Sequence, residues 1–111
     1  GNQVHLEHIV PQTIDTKKSK VEFGDWETYL GENSQALHKK NINKIGNMTL
    51  LAAPLNISAS NNPFEDKKEK YIQSNIKITK DLKEYDEFKF KEIENRGNKF
   101  SSMALHIWKL N

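Results

Sequence analysis

Cysteine is absent from this chain of 111 residues, which excludes disulfide bonds and zinc sites built on thiolates. No apolar run approaches the roughly 18 residues that a membrane span needs, and no signal peptide is visible. A large excess of one charge is also missing, because 17 basic residues offset 15 acidic ones. We therefore expect a cytoplasmic protein with a single modest apolar core and no membrane partner.

The length predicts one domain over residues 1–111, and the start at Gly1 without an initiator Met favours a domain excised from a longer protein or a tag remnant. The small net charge of +2 is weak support for a nucleic-acid partner. The distribution of lysine is more suggestive, because clusters occur at 17–20, 39–44 and 67–70. Such clusters are most often solvated faces, and some can contact phosphates.

Apolar spacing predicts two short strands and several helices, an α+β fold. β-formers alternate loosely over residues 4–10 before Pro11, and 48–51 form a second apolar run. Residues 12–24 are polar and predict a variable loop. Helical spacing and start signals such as Asp25 and the pair Asn62–Pro63 predict helices over 25–30, part of 34–44, a short segment at 54–56, 62–74 and 87–109.

The most informative feature is the pair Glu7 and His8, within the run HLEHIVPQ at residues 5–12. A carboxylate is a ligand for hard cations, and an imidazole is mostly neutral at pH 7 and can take a proton from water. Neighbouring residues of a strand point to opposite faces, so the two serve one site only if the strand ends or bends there. Pro11 makes such a bend plausible.

Two asparagines, nine residues apart, complete the candidate site. Asn56 offers a neutral carbonyl oxygen as a second metal ligand, although an Asn near a helix start is equally often a cap. Asn47 follows Gly46 and is interpreted as structural, tying the loop after Pro11 to the second strand and so orienting His8. Each residue alone has an ordinary structural explanation, and the combination carries the prediction.

The motif HLEHIVPQ, the run GNMTLL at 46–51 and Asn56 together resemble the His-Asn-His (HNH) endonuclease motif on its ββα-metal fold. The step from Asn47 to Asn56 is similar to the family's spacing between the central Asn and the last metal ligand. The whole chain from 5 to 109 also resembles the C-terminal nuclease domain of GmrSD-type restriction proteins. Further similar positions are Trp26, His38, Asn61, Phe64, Lys67, Tyr71, Arg96 and Trp108.

The resemblance implies a ββα-metal core with additional C-terminal helices that nicks DNA in bacterial restriction or phage defence. It implies His8 as general base, Glu7 and Asn56 as metal ligands, and Asn47 as the residue that orients the loop. Glu stands in place of the commoner Asp, a departure that GmrSD-like members tolerate. Asn in place of a final His favours Mg²⁺ or Mn²⁺ over Zn²⁺. An upstream nucleotide-hydrolysing domain of the parent protein is the expected partner besides DNA.

Lys67 and Lys68 are candidates for phosphate contacts, because they lie one turn into the predicted helix that begins at Asn62–Pro63. The main alternative function is a non-catalytic nucleic-acid-binding module on the same scaffold. A coincidental Glu-His-Asn set in an interaction domain is a third interpretation, and a secreted DNase toxin with an immunity partner is a minor one.

Overall fold

A two-stranded antiparallel sheet forms the N-terminal part of the fold in the computed structural model, which describes residues 3–53, 55 and 62–110. Strand β1 spans His5–His8 and strand β2 spans Met48–Leu51. The register pairs His8 with Met48 and His5 with Leu51. β1 is shorter than the predicted 4–10, and it ends at His8.

Helices make up most of the remaining described chain, so the mixed α+β class is confirmed. The helices are α1 Lys17–Phe23, α2 Trp26–Leu30, α3 Ser34–Asn41, α4 Pro63–Tyr71, α5 Lys77–Lys80 and α6 Phe90–Leu110. Two 3₁₀ turns, Ile45–Asn47 and Asp81–Glu84, precede β2 and follow α5. No helix within the described residues is both long and apolar enough to cross a membrane.

The apolar core lies between the sheet and the helices α2, α4 and α6. Its largest fully buried side chains are aromatic, and Phe64 of α4 stacks on Phe88 with ring centroids 5.4 Å apart. Trp26 of α2 is also fully buried, and its indole N–H donates to the carbonyl of Phe23. The indole donor of Trp26 is therefore satisfied within the protein, while the buried ring anchors α2.

Sequence signals correctly located the starts of α2 and α4. The Asp25 carboxylate accepts a hydrogen bond from the Thr28 N–H at 3.2 Å and caps α2. Asn62 caps α4 in the same way, with Pro63 in the first helical turn. Both arrangements satisfy backbone N–H groups that a helix start leaves without partners.

The prediction of a loop over residues 12–24 is wrong for its second half, which forms α1. Thr16 and Ser19 build a reciprocal capping box at the start of this helix. That Thr-x-x-Ser pattern was present in the sequence, but the lysines that follow it masked any apolar periodicity. Helix α5 was likewise not predicted, because four residues are too few to show a period. The predicted short helix with Asn56 lies outside the described residues.

Helix α6 packs tightly against the 3₁₀ turn before β2 through two glycines. A Cβ placed on Gly46 would lie 1.8 Å from the carbonyl oxygen of Ile93, whereas one on Gly97 would meet Gly46 at an ordinary 3.7 Å. Arg96 of α6 adds hydrogen bonds from Nη1 to the carbonyls of Gly46 and Met48. Gly46 is therefore required for close backbone approach, while Gly97 is not.

We expect Gly46→Ala to lower the free energy of unfolding by more than about 2 kcal/mol, because the obstructing atoms belong to the backbone and cannot rotate away. Gly97→Ala is the matched control and should be neutral or stabilising by up to about 1 kcal/mol, since alanine favours the helix interior. Urea unfolding of both variants is the measurement. Equal destabilisation by the two substitutions would contradict the packing described here.

Candidate active site

Glu7 is held by two side chains of α4. Its Oε2 atom accepts a hydrogen bond from the Tyr71 hydroxyl at 2.8 Å and one from Lys67 Nζ at 3.3 Å. Lys67 and Tyr71 are four residues apart and so lie on one face of the helix. Both bonds end on Oε2, and neither involves Oε1. The carboxylate is thus fixed in position while 20% of its side chain remains exposed.

Lys67 is a buried cation at the end of β1. Its Nζ also donates to the carbonyls of His8 at 3.0 Å and Ile9 at 2.8 Å, so three acceptors surround it. Nζ lies 5.4 and 5.7 Å from the ring centroids of Phe23 and Trp26. Burial lowers the pKa of Lys67 below its ordinary value, and the Glu7 carboxylate opposes that shift. Only 1% of the lysine side chain is exposed.

Lys67 and Lys68 of α4 both have their ammonium groups engaged by internal acceptors. Lys67 is buried against β1, as above. Lys68 Nζ donates to the carbonyl of Tyr85 at 2.9 Å and pairs with Glu65 at 3.3 Å, and 16% of its side chain is exposed. These internal acceptors argue against the predicted phosphate contacts of Lys67 and Lys68.

Asn47 is fully buried and holds the chain directly after β1. Its Oδ1 accepts from the Val10 N–H at 2.8 Å, and its Nδ2 donates to the carbonyls of Val10 at 3.0 Å and Ile42 at 2.9 Å. The Asn47 carbonyl also accepts from the Ile9 N–H at 2.9 Å. Three of these bonds fall on Ile9 and Val10, so Asn47 holds the chain just before Pro11 rather than after it.

His8 is the last residue of β1, and its side chain is partly exposed. Its Nε2 lies 3.3 Å from Oδ1 of Asn43, in the connection between α3 and β2. The sequence interpretation missed Asn43, because one more polar residue in a polar connection gives no signal. It also missed Tyr71 as a partner of Glu7, although the spacing of Lys67 and Tyr71 on the apolar face of α4 was visible.

Glu7 also lines an open groove of about 270 Å³ together with Leu51 and Leu55. Leu55 directly precedes Asn56 in the sequence, and Asn56 itself lies outside the described residues. Within the described part of the chain, no group of three or more His, Cys, Asp or Glu side chains could hold a metal ion. Among the described residues, the predicted metal ligand is thus the Glu7 carboxylate alone. A single carboxylate suits Mg²⁺ or Mn²⁺, because these ions retain several waters and need few protein ligands.

We expect Lys67→Met to lower the free energy of unfolding by about 3 kcal/mol, because it removes the ammonium donor from two backbone carbonyls and leaves the Glu7 carboxylate with Tyr71 alone. Methionine is an unbranched side chain of similar length, so lost packing contributes little. Lys68→Met, the control on the next residue, should cost less than about 1.5 kcal/mol. Chemical unfolding compares the two, and a larger loss for Lys68→Met would show that the buried cation is dispensable.

Burial, and secondly the Glu7 carboxylate, raise the pKa of Tyr71 well above its ordinary value of 10.0. The folded protein thus retains a proton that the unfolded chain releases. The stability due to Tyr71 is therefore complete below its ordinary pKa of 10.0, and it is lost as the pH rises from there through the higher pKa of the folded protein. In an alkaline absorbance titration, wild type and Tyr71→Phe should form equal tyrosinate until unfolding, and then differ by one tyrosine. A difference before unfolding would contradict the burial of this hydroxyl.

The family model for the C-terminal domain of GmrSD restriction endonucleases matches residues 1–103. No curated protein and no solved structure shows a significant match to the chain. The matched segment contains both strands, Glu7, His8, Asn47 and most of α6. The match therefore supports a nuclease function of the restriction-endonuclease type. The chain belongs to the family of GmrSD restriction endonuclease C-terminal domains.

Proposed function

We propose that this domain is a metal-dependent DNA endonuclease of the HNH type, with a ββα-metal core that includes β1 and β2. The observation that carries the proposal is the way two elements hold the end of β1. Lys67 binds the carbonyls of His8 and Ile9, and Asn47 binds both polar groups of Val10. Glu7 and His8 are thereby presented at a strand end that is fixed on both sides.

Glu7 and Asn56 would hold Mg²⁺ or Mn²⁺. Glu7 would use Oε1, because the hydrogen bonds from Lys67 and Tyr71 of α4 both end on Oε2. The groove shared by Glu7 and Leu55 supports this pairing, because it brings the residue before Asn56 to the same surface as Glu7. When bound, such a cation offsets the charge that develops on a phosphate and on the leaving oxygen. Tyr71 and Lys67 restrict the rotamers of Glu7, which reduces the entropy lost on metal binding.

His8 would take a proton from the attacking water. With the Asn43 Oδ1 as acceptor, the ring proton resides on Nε2, and Nδ1 becomes the nitrogen with a free lone pair. Asn43 would thus select the tautomer and limit rotation of the ring. Asn47 would act one step further away, since it fixes the backbone immediately after the strand that carries His8.

One such site cuts one strand, so the expected product from a circular duplex is a nick. DNA is the proposed substrate, and the proposed setting is bacterial restriction or phage defence in the cytoplasm. An upstream nucleotide-hydrolysing domain of the parent protein is the proposed partner. These assignments rest on the family and on the chemistry of Glu7 and His8.

A non-catalytic nucleic-acid-binding module is the second candidate, and one observation favours it. The Lys67 ammonium lies 3.3 Å from Oε2 of Glu7 and offsets part of the negative charge that a cation would need. If that offset outweighs the contribution of Asn56, the domain binds DNA without cutting it.

A nicking assay on supercoiled plasmid with Mg²⁺ or Mn²⁺ separates the two. We expect His8→Ala to lower the rate by about 100-fold or more, because it removes the general base. Glu7→Gln should weaken metal binding while retaining the shape of the side chain. EDTA should abolish nicking, and His106→Ala, which changes an exposed histidine of α6, is the control. Nicking by His8→Ala at the wild-type rate would refute the assigned base, and an inert wild type would favour the binding module.

A further inference from the structure

Acidic residues are absent from a long central part of the sequence. No Asp or Glu occurs between Glu32 and Glu65, so all 15 acids lie outside residues 33–64. This acid-free stretch contains α3, β2 and Asn47, and it also contains Asn56. A polyanion that lies along this stretch would therefore meet no carboxylate from it.

Three lysines of this stretch are concentrated beside the contact of His8. Lys39 and Lys40 lie in the last turn of α3, and Lys44 follows that helix by three residues. All three side chains are exposed. Asn43, whose Oδ1 lies 3.3 Å from the His8 ring, is located between Lys40 and Lys44. The cationic segment 39–44 thus includes the residue that contacts the proposed base.

The positive charges of this segment are not neutralised by ion pairs within the described fold. Lys39, Lys40 and Lys44 form no ion pair with any residue that the structure describes. By contrast, Lys67 and Lys68 of α4 pair with Glu7 and Glu65. Neighbouring like charges with no acid in the same stretch of chain repel one another, although Asp15 lines a pocket together with Lys39, and phosphates would relieve that repulsion.

We propose that segment 39–44 binds the phosphate backbone of the DNA strand beside His8, so that the substrate crosses the site from the α3 side and not over α4. This inference rests on the proposed nuclease function and adds the direction of the substrate. It also replaces α4 as the expected source of phosphate contacts. The backbone is the chemistry recognised, so binding should depend little on base sequence.

The test measures binding of a fluorescent DNA duplex by anisotropy in EDTA, across a range of salt concentrations. Binding and cutting are thereby separated. The triple variant Lys39→Gln, Lys40→Gln, Lys44→Gln is compared with Lys80→Gln, Lys83→Gln, Lys91→Gln. The second set removes the same charge from exposed lysines of α5, the second 3₁₀ turn and α6, which likewise form no ion pair within the described chain.

We expect the first variant to bind at least about tenfold more weakly at low salt, with a salt slope shallower by roughly 2 to 3, and the second to change little. Equal losses in both variants would overturn the inference, because only net charge would then matter. Failure of the wild type to bind DNA at low salt would overturn it as well.

Cations in the last turn of α3 also oppose the partial negative charge of that helix end, so a purely structural role has a distinct signature. A lower melting temperature with unchanged DNA affinity would assign them that role and overturn the inference. In the nicking assay, we expect the triple variant to raise KM more than it lowers kcat. An inert wild type that still binds DNA through segment 39–44 would reject the nuclease and support this surface.

Discussion

The buried ammonium group of Lys67 is the interaction on which the site depends. Taking a cation out of water is costly, and the cost is offset only when acceptors and a counter-charge surround it. Lys67 has two backbone carbonyls, one carboxylate and two aromatic rings around it. The same contacts join α4, α1 and α2 to the end of β1, so the cation organises the elements that surround Glu7.

Asn47 complements Lys67, because it binds Val10, the residue after the two whose carbonyls Lys67 binds. A two-stranded sheet of four-residue strands is only marginally stable on its own, and its end would fray without such contacts. Here the carbonyls of His8 and Ile9 face a lysine of α4, while the polar groups of Val10 face a buried amide. The chain is thus supported through three successive residues that begin at His8, the second member of the pair whose chemistry the proposed function needs.

Periodicity and capping signals allowed α2, α4 and the long C-terminal helix to be predicted, because each has a cap or an extended apolar stripe. Residues 16–23 were not, since their short helix depends on a Thr–Ser capping box rather than on apolar spacing. In the candidate site, too, some features were predictable from the sequence and others were not. Asn47 was expected to be structural, and its bonds are now located, whereas Lys67 was assigned to the surface. A lysine is buried only when distant carbonyls converge on it, and sequence spacing contains no information about that convergence.

The contact between α6 and the turn at Gly46 leaves no free space, and this has a mechanical consequence. Ile93 lies against Gly46, while Arg96 binds the carbonyls of the two residues that flank Asn47. A closely packed joint transmits a displacement instead of absorbing it. Movement of this 21-residue helix would therefore displace Asn47 and, through it, the segment beside His8.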